Sequence, residues 1–217
     1  MIRHLGDKAA SEEDLILVEK QTGRFKGINV KLGELAHVYH PSYTIWDDLR
    51  FPASSTKPGS TSPTWVDIGA PYAGLYVLEF SHSPANQYVF VDAQMPHDWL
   101  EGSALHAHVH WLNHEPTGAG GDIVWTMDCA IAGIGDVLNE FVSTSVAMTV
   151  PATQFTHNLV EIGEIDMTGE TLSSMIVIRL TRTADAAGDT YGDGIGLLEF
   201  DLHYERDGLG SREEYVK

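Results

Sequence analysis

The sequence predicts an all-β protein: an antiparallel β-sandwich, of jelly-roll type, preceded by an extended N-terminal arm. Three observations point there. From about residue 66 onward, short runs rich in β-branched and aromatic residues alternate with clusters of Gly, Pro, Asn and Ser. Two of these runs, Leu105–Leu112 and Leu197–Tyr204, alternate apolar and polar residues with the period of a half-buried strand. No ten-residue stretch of this region carries a helical period, and only Val137–Phe141 is ambiguous. Eight or so strands closed by glycine-rich turns form a sandwich.

Residues 1–65 read as arm and linker. Ser11 as N-cap, with Asp14 three residues on, starts a short helix that runs to Glu19. Gly23, Gly27 and Gly33 follow, then Pro41, Pro52, Pro58 and Pro63 around the polar tract Ser54–Ser62. Such composition builds little core of its own. Yet the arm carries Leu15–Val18, Trp46, Leu49 and Phe51, which need a surface to dock on, either a partner or the chain's own sandwich.

The sandwich domain spans residues 66–217 and closes in a short C-terminal tail. Its expected strands are Leu75–Phe80 and Gln87–Val91, divided by the turn-like Ser81–Asn86, and then Leu105–Leu112. After the turn Pro116–Gly121 come Ile123–Ile131, Phe141–Val150, His157–Ile165, Ser174–Thr183 and Leu197–Tyr204. In the last, Leu198, Phe200, Leu202 and Tyr204 point one way and Glu199, Asp201 and His203 the other.

With 31 acidic residues against 13 basic ones, the formal charge is −18. That excludes a phosphate-tracking nucleic-acid binder and disfavours an anionic membrane surface as partner. Cys129 is the only cysteine, so an intrachain disulfide cannot form. The first residues lack the apolar run of a signal peptide, and no stretch approaches the roughly 18 apolar residues of a membrane span. The expectation is a protein made in a cytoplasm.

The motif with most chemical content is Leu105-His106-Ala107-His108-Val109-His110-Trp111. On a strand, His106, His108 and His110 share the face opposite the core. Gly102, His108, His110 and Glu115 reproduce the spacing of the first cupin metal motif, and cupins are jelly rolls. That makes His108, His110 and Glu115 candidate metal ligands and a cupin-like metalloenzyme the competing functional class. The second cupin motif, Pro-x-Gly before a further histidine, does not appear downstream. His106 and His110 are about 13 Å apart at strand rise, too far to share an ion. A neighbouring pair supplies two ligands where catalytic zinc takes three, so a third would have to come from His97, Glu115 or His203. A structural histidine face is the preferred reading, with no catalytic metal and no cofactor.

Other enzymatic signals are weaker, and no catalytic residue is assigned. Cys129, beside Asp128 in mid-strand, reads as core. Ser211 sits in a tail rather than a nucleophile elbow. Asp185–Gly194 reads as an exposed hairpin loop rather than a calcium site. Glu199 and Asp201 share a face, as solvated acids commonly do.

A series of strings carries a resemblance. In order they are Trp46-Asp47-Asp48-Leu49-Arg50-Phe51-Pro52, Met95-Pro96-His97, Glu101-Gly102, His108-Val109-His110-Trp111, Ser173-Ser174-Met175, Arg179-Leu180, Asp189-Thr190-Tyr191, Leu198–Tyr204 and Gly210–Tyr215. Over roughly residues 46–217 the chain resembles a family of uncharacterised structural proteins of tailed-bacteriophage virions. The resemblance implies a virion component, made in the host cytoplasm, with no established activity. It fits first a capsid decoration or cement protein and second a tail-associated adaptor or fibre module. The implied partners are the major capsid protein or other virion subunits and further copies of the chain. A homotrimer is expected, with Trp46, Phe51, His106, His108 and His110 as interface candidates.

Overall fold

The computed structural model describes residues 14–21, 24–31, 45–115, 120–208, 210–211 and 213–214. Among them are thirteen strands and one short 3-10 turn, with no α-helix. The chain divides into two compact units at Thr44/Ile45.

The first unit holds an antiparallel pair, β1 (Asp14–Gln21) and β2 (Arg24–Lys31), in register from Asp14 opposite Lys31 to Gln21 opposite Arg24. This corrects the short helix expected up to Glu19. Leu15-Ile16-Leu17-Val18 is a continuous aliphatic run with two β-branched members, and its strand preference outweighs a local capping signal. Ser11, the expected cap, lies outside the described residues.

The second unit begins with β3 (Ile45–Pro52), the 3-10 turn Ala53–Ser55, β4 (Lys57–Pro58) and β5 (Thr64–Asp67). Eight longer-range strands follow: β6 (Tyr76–Phe80), β7 (Tyr88–Gln94), β8 (Leu105–Asn113), β9 (Asp122–Ala132), β10 (Val142–Thr149), β11 (Asn158–Ile165), β12 (Met175–Arg182) and β13 (Ile195–Arg206). One sheet runs β10-β9-β12-β7-β4 and the other β11-β8-β13-β6-β5, with β3 on the C-terminal half of β13. Strands β6-β13-β8-β11 therefore face β7-β12-β9-β10, the order of an eight-stranded jelly roll, with every pairing antiparallel. Each of these eight strands lies within a few residues of its expected position.

The arm expected over residues 1–65 is shorter than that. Trp46–Pro52 pairs with β13, Lys57–Pro58 with β7 and Thr64–Asp67 with β6, so residues 45–65 belong to the sandwich unit. Of the apolar residues that need a surface, Leu49 and Phe51 find one in cis, whereas Trp46 stays 46% exposed. Phe51 lies 6.1 Å from Phe200, ring centre to ring centre, and with Leu49 it is partly buried against the core. Phe51→Ala is expected to cost about 1–2 kcal/mol, as deletion of a half-buried aromatic does. Chemical denaturation of the two proteins measures it; an unchanged midpoint would mean that β3 adds nothing to the sandwich.

Between the sheets lies a close-packed core that includes Phe80, Trp99, Leu105, Trp111, Ile123, Trp125, Met127, Leu180 and Phe200. Leu198 departs from its expected place. A bulge between Leu197 and Glu199 turns Leu197 into the core with Phe200, Leu202 and Tyr204, and Leu198 joins a small outer cluster with Ile68, Val77 and Leu112. The loop Asp185–Gly194 is also more buried than expected. Asp189 and Tyr191 lie inside it, where Asp189 pairs with Arg182, and both side chains of that pair are 0% exposed.

Candidate functional site

Strand pairing assembles the outer face of the β8–β13 sheet into three rows. His106 lies opposite His203, and His203 opposite Asp48. His108 lies opposite Asp201, and Asp201 opposite Arg50. His110 lies opposite Glu199, with Leu159 on its other side. On β11 the register shifts between Glu161 and Gly163, where Gly163 takes a positive φ of 150°. The shift leaves Glu161 facing His108 and Glu164 facing His106. Leu105, Ala107, Val109 and Trp111 are buried on the opposite face, as the alternation predicts.

Asp201 is the hub of the face and is only 3% exposed. Its Oδ2 accepts from His110 Nε2 at 3.4 Å and lies 3.3 Å from His203 Nε2. Its Oδ1 lies 3.6 Å from His108 Nδ1, too long for a hydrogen bond, and both atoms are buried without a hydrogen-bond partner. The His108 and His203 rings sit 4.1 Å apart, centre to centre. His203 Nε2 is also 3.2 Å from Asp48 Oδ1 at the rim. On the other flank, His110 Nδ1 and His157 Nε2 are 2.7 Å apart in stacked rings, so one imidazole donates an N–H and the other accepts. His106 meets Glu161 at 3.0 Å and lies edge-on to Trp46 at 5.2 Å. Trp46, His106, His108 and His203 line a shallow depression of about 260 Å³ beside the hub.

Electrostatics follow from these contacts. Burial, with the adjacent His203, pushes the His108 imidazole below the usual histidine range and favours its neutral form. The hydrogen bond with His106 holds the Glu161 carboxyl below its ordinary value. Arg50 caps the face with a two-pronged contact to Glu199, at 2.5 and 2.9 Å.

Glu115 is not on this face. It lies 3.5 Å from His114, which in turn bonds Glu79 at 2.7 Å. The spacing that grouped His108, His110 and Glu115 thus brings the two histidines to one carboxylate, Asp201, and sends Glu115 to a second cluster. Sequence spacing cannot see this, because Asn113 and His114 end the strand before Glu115. His97 instead bonds Ser211, at 2.6 Å. Asp48, His157 and the central role of Asp201 escape a reading of the sequence. The alternation of β13 marks Asp201 and His203 as outward, but nothing local says that β13 lies beside β8.

The His114 hydrogen bond, reinforced by Ser81, holds the Glu79 carboxyl below its ordinary value against the opposing effect of burial. A depressed carboxyl stabilises the fold above its unfolded value of 4.5, and that stabilisation is lost as pH falls from there through the folded value. Glu79→Gln should therefore flatten the acid limb of a stability–pH curve below about 4.5 and leave its slope at neutral pH unchanged. An acid limb identical to that of the parent would exclude Glu79 as a contributor.

Cys129 is a core residue, as expected, and burial pushes its thiol up to about 12. It should resist thiol reagents in the native protein and react once the chain is unfolded. Rapid modification under native conditions would contradict its burial.

No family model matches the sequence, and no curated protein matches it. Several solved structures align with it at low similarity. The infectious bursal disease virus VP2 subviral particle is 7% identical, over 91% of this chain and 39% of the other, at a TM-score of 0.38. TmCBM27, a carbohydrate-binding module studied for specific mannan recognition, is 11% identical over 75% of this chain and 99% of its own, at 0.34. TmCBM61, solved with β-1,4-galactotriose, is 12% identical over 76% and 89%, at 0.32. The chain spans less than two fifths of the length of the viral proteins at the head of the comparison.

Proposed function

We propose that this chain is a structural protein of a tailed-bacteriophage virion, a capsid decoration or cement subunit that acts through protein contacts and not through catalysis. The observation that carries the contact role is a pair of separate, exposed apolar strips. One comprises Ile134, Val137, Leu138, Phe141 and Val142, with Val137 91% exposed. The other comprises Trp65, Tyr72, Leu75 and Tyr76. The first lies at and before β10, which flanks β11 at one edge of the sandwich; the second lies on β5, β6 and the turn between them at the other edge. Clusters of exposed large apolar residues mark interaction surfaces.

Two different strips on opposite edges suit head-to-tail contacts, which close into rings such as a trimer. The series of strings from Trp46 to Tyr215 supplies the virion context, with the major capsid protein as the expected partner. The first 44 residues, with their own strand pair, serve in this reading as the docking arm.

The test is rebinding to particles. Purified protein is mixed with capsids made without it and sedimented, alongside the variants Val137→Asp and Leu138→Asp. Both sites are exposed, so the variants should fold as the parent does. The proposal expects stoichiometric rebinding of the parent and at least a tenfold loss for the variants. Failure of the folded parent to bind capsids would overturn the decoration role. Equal binding by the variants would remove the apolar strip from it.

A further inference from the structure

We propose that His108, Asp201 and His203 form a binding site for one divalent ion of the zinc class. One ligand atom from each of the three lies within 4.8 Å of those from the other two. On a zinc tetrahedron with bonds of about 2.0–2.2 Å, neighbouring ligand atoms are about 3.3–3.6 Å apart. His203 Nε2 and Asp201 Oδ2 are 3.3 Å apart, and His108 Nδ1 and Asp201 Oδ1 are 3.6 Å apart. The second pair is the telling one. It is too long for a hydrogen bond, both atoms are buried, and neither has a hydrogen-bond partner. A buried carboxylate oxygen and a buried imidazole nitrogen left in that state are costly unless something sits between them. A cation satisfies both at once, and a proton does not span the gap.

The rest of the site suits such an ion. Two imidazoles and a carboxylate form a nitrogen and oxygen donor set of the zinc type. The Asp201 charge, with Asp48 at the rim, offsets the charge of a dication. His110 Nε2 holds Asp201 Oδ2 from behind, and His157 holds His110 in turn, the usual way in which partners outside the ligands orient them. The depression beside Trp46 leaves room for water to complete the coordination. Strand pairing supplies the third ligand that the histidine strand lacks, and it is His203, one of the three the sequence offers for that place, so the proposed site is shared by β8 and β13. The ion would tie the two central strands together, a structural role that does not depend on the virion proposal.

The test is zinc binding by the full chain, stripped with chelator and dialysed against micromolar Zn²⁺, with metal counted by mass spectrometry. The proposal expects about one zinc per chain and a thermal midpoint about 5–10 °C higher at a hundredfold excess over the dissociation constant. Both effects should be lost in His203→Ala, at a partly exposed side chain, and in Asp201→Asn, and kept in Glu115→Gln. Circular dichroism establishes that each variant is folded. Less than about a tenth of an equivalent in the parent, or zinc retained in a folded His203→Ala, Asp201→Asn double variant, overturns the proposal. Loss of zinc in Glu115→Gln with retention in His203→Ala would do so as well and move the site to the Glu79–His114–Glu115 cluster.

Discussion

Replacing Arg182 with Ala is expected to lower the unfolding free energy by about 3–5 kcal/mol, the usual cost of stripping one partner from a buried ion pair. Arg182 and Asp189 are wholly buried and meet in a two-pronged contact, Nε to Oδ2 at 3.0 Å and Nη2 to Oδ1 at 2.9 Å. The remaining guanidinium hydrogens bond the backbone carbonyls of Phe80, Tyr191 and Asp193. One side chain therefore joins the end of β12 to β6 and to the loop that leads into β13. Without it, Asp189 remains as an uncompensated buried charge and three carbonyls lose a donor. Asp189→Asn should cost less, because the amide keeps its shape and carries no charge. Arg182→Met with Asp189→Leu should recover part of the loss. Urea denaturation of the four proteins measures it. A cost under about 1 kcal/mol for Arg182→Ala would mean that the loop is held by other contacts.

The second large effect is at Trp125. Trp125→Ala should cost about 3–5 kcal/mol, as removal of a large buried aromatic does. Trp125 is wholly buried on β9, directly across the ladder from Arg182, and lies edge-on to Phe80 at 5.1 Å. Its loss leaves a cavity between the two sheets next to the buried ion pair. The two substitutions share neighbours, so their costs should not add. Trp125→Phe should recover most of the stability by refilling the space. If Trp125→Ala and Trp125→Phe gave the same midpoint, packing at this site would not govern stability.

The fold was legible in the sequence wherever one local signal sufficed. The eight strands of the jelly roll declare themselves through β-branched and aromatic runs between turn clusters, and two of them, Leu105–Asn113 and Ile195–Arg206, through alternation as well. Structure and local signal part where two signals compete or where the partner strand is distant in sequence. Asp14–Glu19 carries both a capping pattern and a β-branched run, and the run decides. Residues 45–65 look like linker by composition, yet Leu49 and Phe51 find the core beneath β13, some 150 positions downstream. Leu198 leaves the face that strict alternation assigns it because of the bulge between Leu197 and Glu199.

The site was half legible. The shared face of His106, His108 and His110 follows from strand geometry alone. Its partners do not, because Asp201 and His203 reach it only through the pairing of β8 with β13. Glu115 was drawn in by spacing borrowed from another jelly-roll family. A jelly roll serves capsids, lectins and cupins alike, so function has to come from the site and the surface and not from the fold.

The proposed virion role requires this chain to be a built-in part of a phage particle. Quantitative mass spectrometry of particles purified through two density gradients tests it most directly. The account predicts the chain in the particle band at a fixed, multi-copy ratio to the major capsid protein, retained after a high-salt wash. Recovery of the chain only in the soluble fraction of infected cells, and its absence from the particle band, would contradict it.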